Sequence, residues 1–139
     1  MLESKLWKKL KTVTGNKWRP HRIENSIDSG TPDVVFSIQC KHNRIVGMIE
    51  LKCQDSNSTG GIKANHYTQI QRNFAILHES TFLFLYSDDV CYLFDWTNSN
   101  DILKGQSIDW HKNNSLFFCS INKLNGDFFI QTIIDRLTS

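Results

Sequence analysis

A chain of 139 residues with 40% hydrophobic and 22% charged residues has the size and composition of a single globular domain, spanning 1–139, that can bury a core without staples. No run approaches the ~18 apolar residues of a membrane span, and "MLESKLWKKLKTV" lacks the unbroken apolar stretch of a signal peptide. A membrane protein and a secreted one are therefore set aside, and the expected location is the cytoplasm. Cys40, Cys53, Cys91 and Cys119 occur singly, without a C-x-x-C pair, which argues against zinc knuckles and redox motifs and predicts reduced, mostly buried thiols.

The net charge of +2 conceals an asymmetry. Through Arg22 the chain carries Lys5, Lys8, Lys9, Lys11, Lys17, Arg19 and Arg22 against Glu3 alone, a local balance of +6 that leaves −4 for the remainder. Such a segment is either an edge facing a polyanion or a lysine-rich helix face that serves solubility.

Leu2, Leu6, Leu10 and Val13 recur at spacings of three and four, with Trp7 beside them, which predicts a helix over 2–14. Glu3 borders that stripe. It is either a favourable charge in the first helical turn or a carboxylate held inward for use. "RIEN" reads as a short strand, and "SIDSGTP" as a loop of breakers. "DVVFSIQC" and "RIVGMIELK", separated by "KHN", read as a β-hairpin. "QDSNSTGGIKAN" reads as a loop suited to covering a substrate. "HYTQIQRNFAILHE" is expected to be helical, with Tyr67, Ile70, Phe74 and Leu77 on one face. "FLFLYS" and "VCYLFDW" form two dense strands around Asp88 and Asp89. "TNSNDILKGQSIDWHKNN" is the least readable part. It precedes a strand, "SLFFCSI", and a closing helix with Ile130, Ile133, Ile134 and Leu137 on one side. This order predicts an α/β (α+β) fold, a mixed β-sheet flanked by helices.

Within "IVGMIELKC" two opposite charges interrupt an apolar run. Strand alternation places Met48, Glu50 and Lys52 on one face. If the preceding run pairs with this one, Asp33 comes beside Glu50, and two carboxylates and an ammonium converge at one end of the hairpin. The alternative is a solvated strand face carrying a salt bridge. Two carboxylates at close range repel unless a cation sits between them. Mg²⁺ suits the set, because it prefers hard oxygen ligands and is commonly held by one or two carboxylates plus phosphate oxygens. Lys52 could then position a water nucleophile or stabilise charge on a phosphodiester, with the Leu51 carbonyl a natural further ligand.

"TPD", then a hairpin, then "IELK" resembles the P-D…E-x-K signature of the PD-(D/E)XK nuclease superfamily, with Pro32, Asp33, Glu50 and Lys52 at the matching positions. "RIENSIDSGTPDVVF", "GMIELK" and "QIQRNF" together resemble the small stand-alone VRR-type nucleases and phage-encoded Holliday junction resolvase-like proteins, over roughly 22–74. The resemblance implies a restriction-endonuclease-like core and metal-dependent hydrolysis of DNA, with branched DNA the favoured substrate. It assigns Asp33, Glu50 and the Leu51 carbonyl to Mg²⁺, for which Mn²⁺ would substitute, and catalysis to Lys52. It also implies a homodimer for paired cuts, working in the host cytoplasm if the protein is viral. A first-helix glutamate, here Glu3, would complete the metal pocket, with Glu24 a competing carboxylate. Gln71, more than Gln69, would lie by the site, and Ser29 would bind a phosphate or its own loop. His21, His66 and His78 form no ligand pattern, and Trp7, Trp18, Trp96 and Trp110 read as core anchors rather than base-stacking groups.

Overall fold

The computed structural model describes residues 3–15, 18–22, 34–54, 80–95 and 112–138. Six strands form one mixed sheet in sequential order, β1 (His21–Arg22), β2 (Val34–Cys40), β3 (Asn43–Gln54), β4 (Ser80–Ser87), β5 (Val90–Asp95) and β6 (Phe117–Ser120). The described residues also include helix α1 (Glu3–Thr14), a 3₁₀ turn (Ile121–Lys123) and helix α2 (Gly126–Thr138), an α+β arrangement of a mixed sheet with flanking helices. No helix among the described residues is long and apolar enough to cross a membrane.

The hairpin read from "KHN" forms as expected. β2 and β3 pair antiparallel from Cys40↔Asn43 at the turn to Val34↔Ile49, with Lys41 in the left-handed region at φ 55°. The β4–β5 hairpin turns at Asp88 and Asp89, with φ of 50° and 66°, positive values at both central residues that aspartate tolerates better than most. Tyr86 O–H donates to Asp89 Oδ1 at 2.9 Å and steadies that turn. β3 and β4 run parallel from Gly47↔Ser80 to Gln54↔Ser87, a pairing that a tight hairpin cannot make.

Alternation along the strands sorts two faces. Val34, Phe36, Ile38, Ile49, Leu51, Phe82, Phe84 and Leu93 join Leu6 and Leu10 of α1 and Phe129 and Ile133 of α2 in one core. Trp18 knits these layers together. Its indole N–H donates to Thr14 Oγ1 at 2.9 Å, and its ring lies 5.5 Å from both Phe36 and Phe129, inside the favourable range for aromatic pairs. Asn125 caps α2 by accepting the Phe128 N–H at 2.9 Å.

Several expectations need adjustment. Of the "RIEN" strand Arg22 is described; with His21 it forms β1, pairing with Val34 and Val35 of β2, and residues 23–25 lie outside the described residues. "SLFFCSI" yields four strand residues, because Ile121 already belongs to the 3₁₀ turn. The closing helix holds as expected, with Ile130 and Ile133 buried and Ile134 and Leu137 packed against the same core, joined by buried Gly126 and Phe129. Only Cys91 is a buried thiol; Cys40, Cys53 and Cys119 are partly exposed. The expected helix after His66 and the segment 97–111 lie outside the described residues.

Candidate active site

The charged pair of β3 stands on the sheet face opposite α1 and α2. Glu50 registers with Leu83 and Lys52 with Leu85, and these register in turn with Phe94 and Tyr92 of β5. Leu83, Leu85, Tyr92 and Phe94 are all buried, so both charges sit on an apolar floor. Glu50 is 1% exposed and Lys52 9%. This overturns the solvated strand face carrying a surface salt bridge. Taking a carboxylate and an ammonium out of water is costly even when they are paired, and groups held that way cluster at functional sites.

The ladder supplies the geometry on the other side. β3 continues past its last described pair with β2, Ile49↔Val34, while remaining paired with β4 as far as Gln54. Glu50, Leu51 and Lys52 occupy that overhang. Asp33 immediately precedes Val34 in the chain but lies outside the described residues, as do Pro32, Glu24, Ser29, Gln69 and Gln71.

Helix α1 brings Glu3 to the same end of β3. The Cys53 thiol is pushed up to about 11, first by burial and then by the negative charge of Glu3, while the positive chain terminus and Lys52 pull it down. Glu3 and Lys52 are therefore both within charge reach of Cys53. The location of Glu3 in the first turn of α1 also suits the helix dipole, so the two readings of this residue are compatible.

The donor chemistry fits a hard divalent cation. Glu3 and Glu50 offer carboxylate oxygens, the ligand type such a cation prefers, while burial and Glu3 push the Cys53 thiol up to about 11. Among the described residues no group of three His, Cys, Asp or Glu side chains could hold a metal.

Arg22 is one of the basic residues of the N-terminal segment. It registers with Val34, and through it with Ile49, one residue short of Glu50. Its Nε is buried and has no hydrogen-bond partner among the described residues. Buried donors are nearly always satisfied, so this one is available to an anion. Elsewhere, Lys5, Lys8 and Lys11 of α1 are exposed, with Lys9 half-buried.

The fold and this cluster define an α+β domain with a buried acid and lysine pair on a central strand. The sequence matches no family model and no curated protein. Among solved structures, it is similar to Hjc, a Holliday junction resolvase from the archaeal hyperthermophile Archaeoglobus fulgidus, at 14% identity and a TM-score of 0.47, over 67% of this chain and 71% of that one.

Proposed function

We propose that this protein is a Mg²⁺-dependent endonuclease that hydrolyses DNA phosphodiesters, with branched DNA, such as a four-way junction, as its substrate. The observation that carries the reading is the burial of Glu50 and Lys52, side by side on one face of β3, where the ladder with β2 runs out. One further antiparallel step beyond Val34↔Ile49 would pair Asp33 with Glu50. That step would set two carboxylates a few ångströms apart, next to an ammonium.

In this reading Asp33, Glu50 and the Leu51 carbonyl hold the cation, with Glu3 assisting. A cation bound there would acidify a water and neutralise charge developing on the phosphate. Lys52 keeps its ammonium on an apolar floor, where a fixed charge interacts more strongly than it does in water, and it orients the attacking water or stabilises the phosphoryl oxygens. The sequence resemblance assigns Gln71, which lies outside the described residues, to the same site. Arg22 offers a guanidinium to a phosphate next to the one cut, where its fork geometry suits two oxygens. The exposed lysines of α1 supply further backbone contacts, which makes binding steeply salt-dependent. Resolving a junction takes two paired cuts, so a homodimer accompanies this function.

The test uses labelled linear duplex, flap and four-way junction DNA with Mg²⁺, Mn²⁺ or EDTA. Cleavage of the branched substrates is expected with either metal and none in EDTA. Equal cutting of all three DNAs would favour a nicking or restriction-like nuclease. Metal-independent DNA binding without any cutting would identify a binding module instead.

A further inference from the structure

Cys91 and Cys119 lie 28 residues apart in the chain, yet β5 and β6 set them directly opposite each other. Their sulfurs are 3.6 Å apart, and Cys91 Sγ is also 3.5 Å from the Cys119 carbonyl oxygen. Directly opposed residues of an antiparallel pair have Cβ atoms about 4.5–5.5 Å apart, close to the span a disulfide bridges. The two thiols need only approach from contact distance to a bond of about 2 Å.

We infer that Cys91 and Cys119 form a redox modification site, a cross-strand dithiol that a low-molecular-weight disulfide such as oxidised glutathione converts reversibly to a disulfide. Among the described residues β6 is the outermost strand of the sheet, and Cys119 is partly exposed where Cys91 is not. Cys119 is therefore the entry point. Its thiolate attacks one sulfur of oxidised glutathione, forming a mixed disulfide and releasing one reduced glutathione. The Cys91 thiol then attacks the Cys119 sulfur, the second glutathione leaves with the proton that Cys91 loses, and the protein disulfide remains. Overall, two thiols are oxidised and one glutathione disulfide is reduced to two thiols. Burial first, and then the neighbouring Cys119, push the Cys91 thiol well above its ordinary range, which agrees with Cys91 resolving the mixed disulfide rather than starting the reaction.

The product covalently ties the sheet's outer strand to β5. Through the 3₁₀ turn, β6 leads directly into α2, which packs on α1, so the bond fixes the strand that anchors the helical layer. This site does not depend on the nuclease reading.

The full-length protein is incubated with oxidised glutathione, denatured, alkylated with N-ethylmaleimide and measured by intact mass and non-reduced peptide mapping. Two of the four cysteines are expected to escape alkylation, with Cys91 and Cys119 in one cross-linked peptide and full reversal by dithiothreitol. The oxidised form should also unfold about 5 °C or more higher than the reduced form. In Cys91→Ser, whose fold is checked by circular dichroism, Cys119 should instead stop at the glutathione adduct. Alkylation of all four thiols in the wild type, a stable glutathione adduct at Cys119 while Cys91 is intact, or a bond mapping to Cys40 or Cys53 would overturn the inference.

Discussion

Replacing Gly126 by alanine is expected to destabilise the protein by about 3 kcal/mol or more, the upper range of core overpacking. A Cβ at this position would lie 1.8 Å from the Val13 carbonyl oxygen, 2.4 Å from its carbonyl carbon and 2.8 Å from Thr14 Cα. These are backbone atoms of α1, so no rotamer change relieves the clash, and the two helices must move apart. The opposing effect is small, because alanine in place of glycine in a helix ordinarily gains about 1 kcal/mol. Sterics should win by a wide margin against a total stability of about 5–15 kcal/mol. Urea unfolding checks this. A variant as stable as the wild type would mean that α1 and α2 do not cross this closely. Displacing α1 also moves Glu3, so any cleavage activity should fall alongside stability.

The second large effect concerns the buried charges. Lys52→Met and Glu50→Gln keep most of the side-chain volume and remove the charge. Each is expected to lower the rate of DNA cleavage by about 10³-fold or more, the scale on which loss of a preorganised electrostatic group acts. Lys52→Arg should not rescue, because a planar fork on the Leu85 row cannot replace a compact ammonium. Unfolding curves run alongside separate chemistry from folding, since an uncompensated buried charge costs stability of its own. Cleavage at wild-type rate by a folded Lys52→Met protein would leave Lys52 as a structural residue.

Much of the architecture follows from local pattern. The period-two runs around "KHN" and around Asp88 and Asp89 specify two hairpins, and the Leu6 and Leu10 stripe specifies the inward face of α1. The common face of Glu50 and Lys52 is likewise a consequence of alternation. Their depth is not, because it depends on Leu83, Leu85, Tyr92 and Phe94, which join them only through the parallel β3–β4 pairing and the next strand. The closeness of Glu3 to Cys53 needs α1 already docked on β3. Cys91 and Cys119 carry no spacing signal, since only strand register joins them. Gly126 opens "GDFFIQ" like any helix start, and its contact with Val13 appears only once two helices cross. The unsatisfied Nε of Arg22 is visible only as a matter of burial. Asp33 and Gln71 remain assignments from the sequence.

The most direct test of the central claim, that Asp33 and Glu50 hold one metal for cleavage, is a Mn²⁺ titration by calorimetry. It compares the wild type with Asp33→Asn and Glu50→Gln and follows four-way junction cleavage in the same samples. Saturable binding in the wild type, lost together with cleavage in both variants, is the predicted result. Wild-type metal binding and cutting in either variant would contradict it.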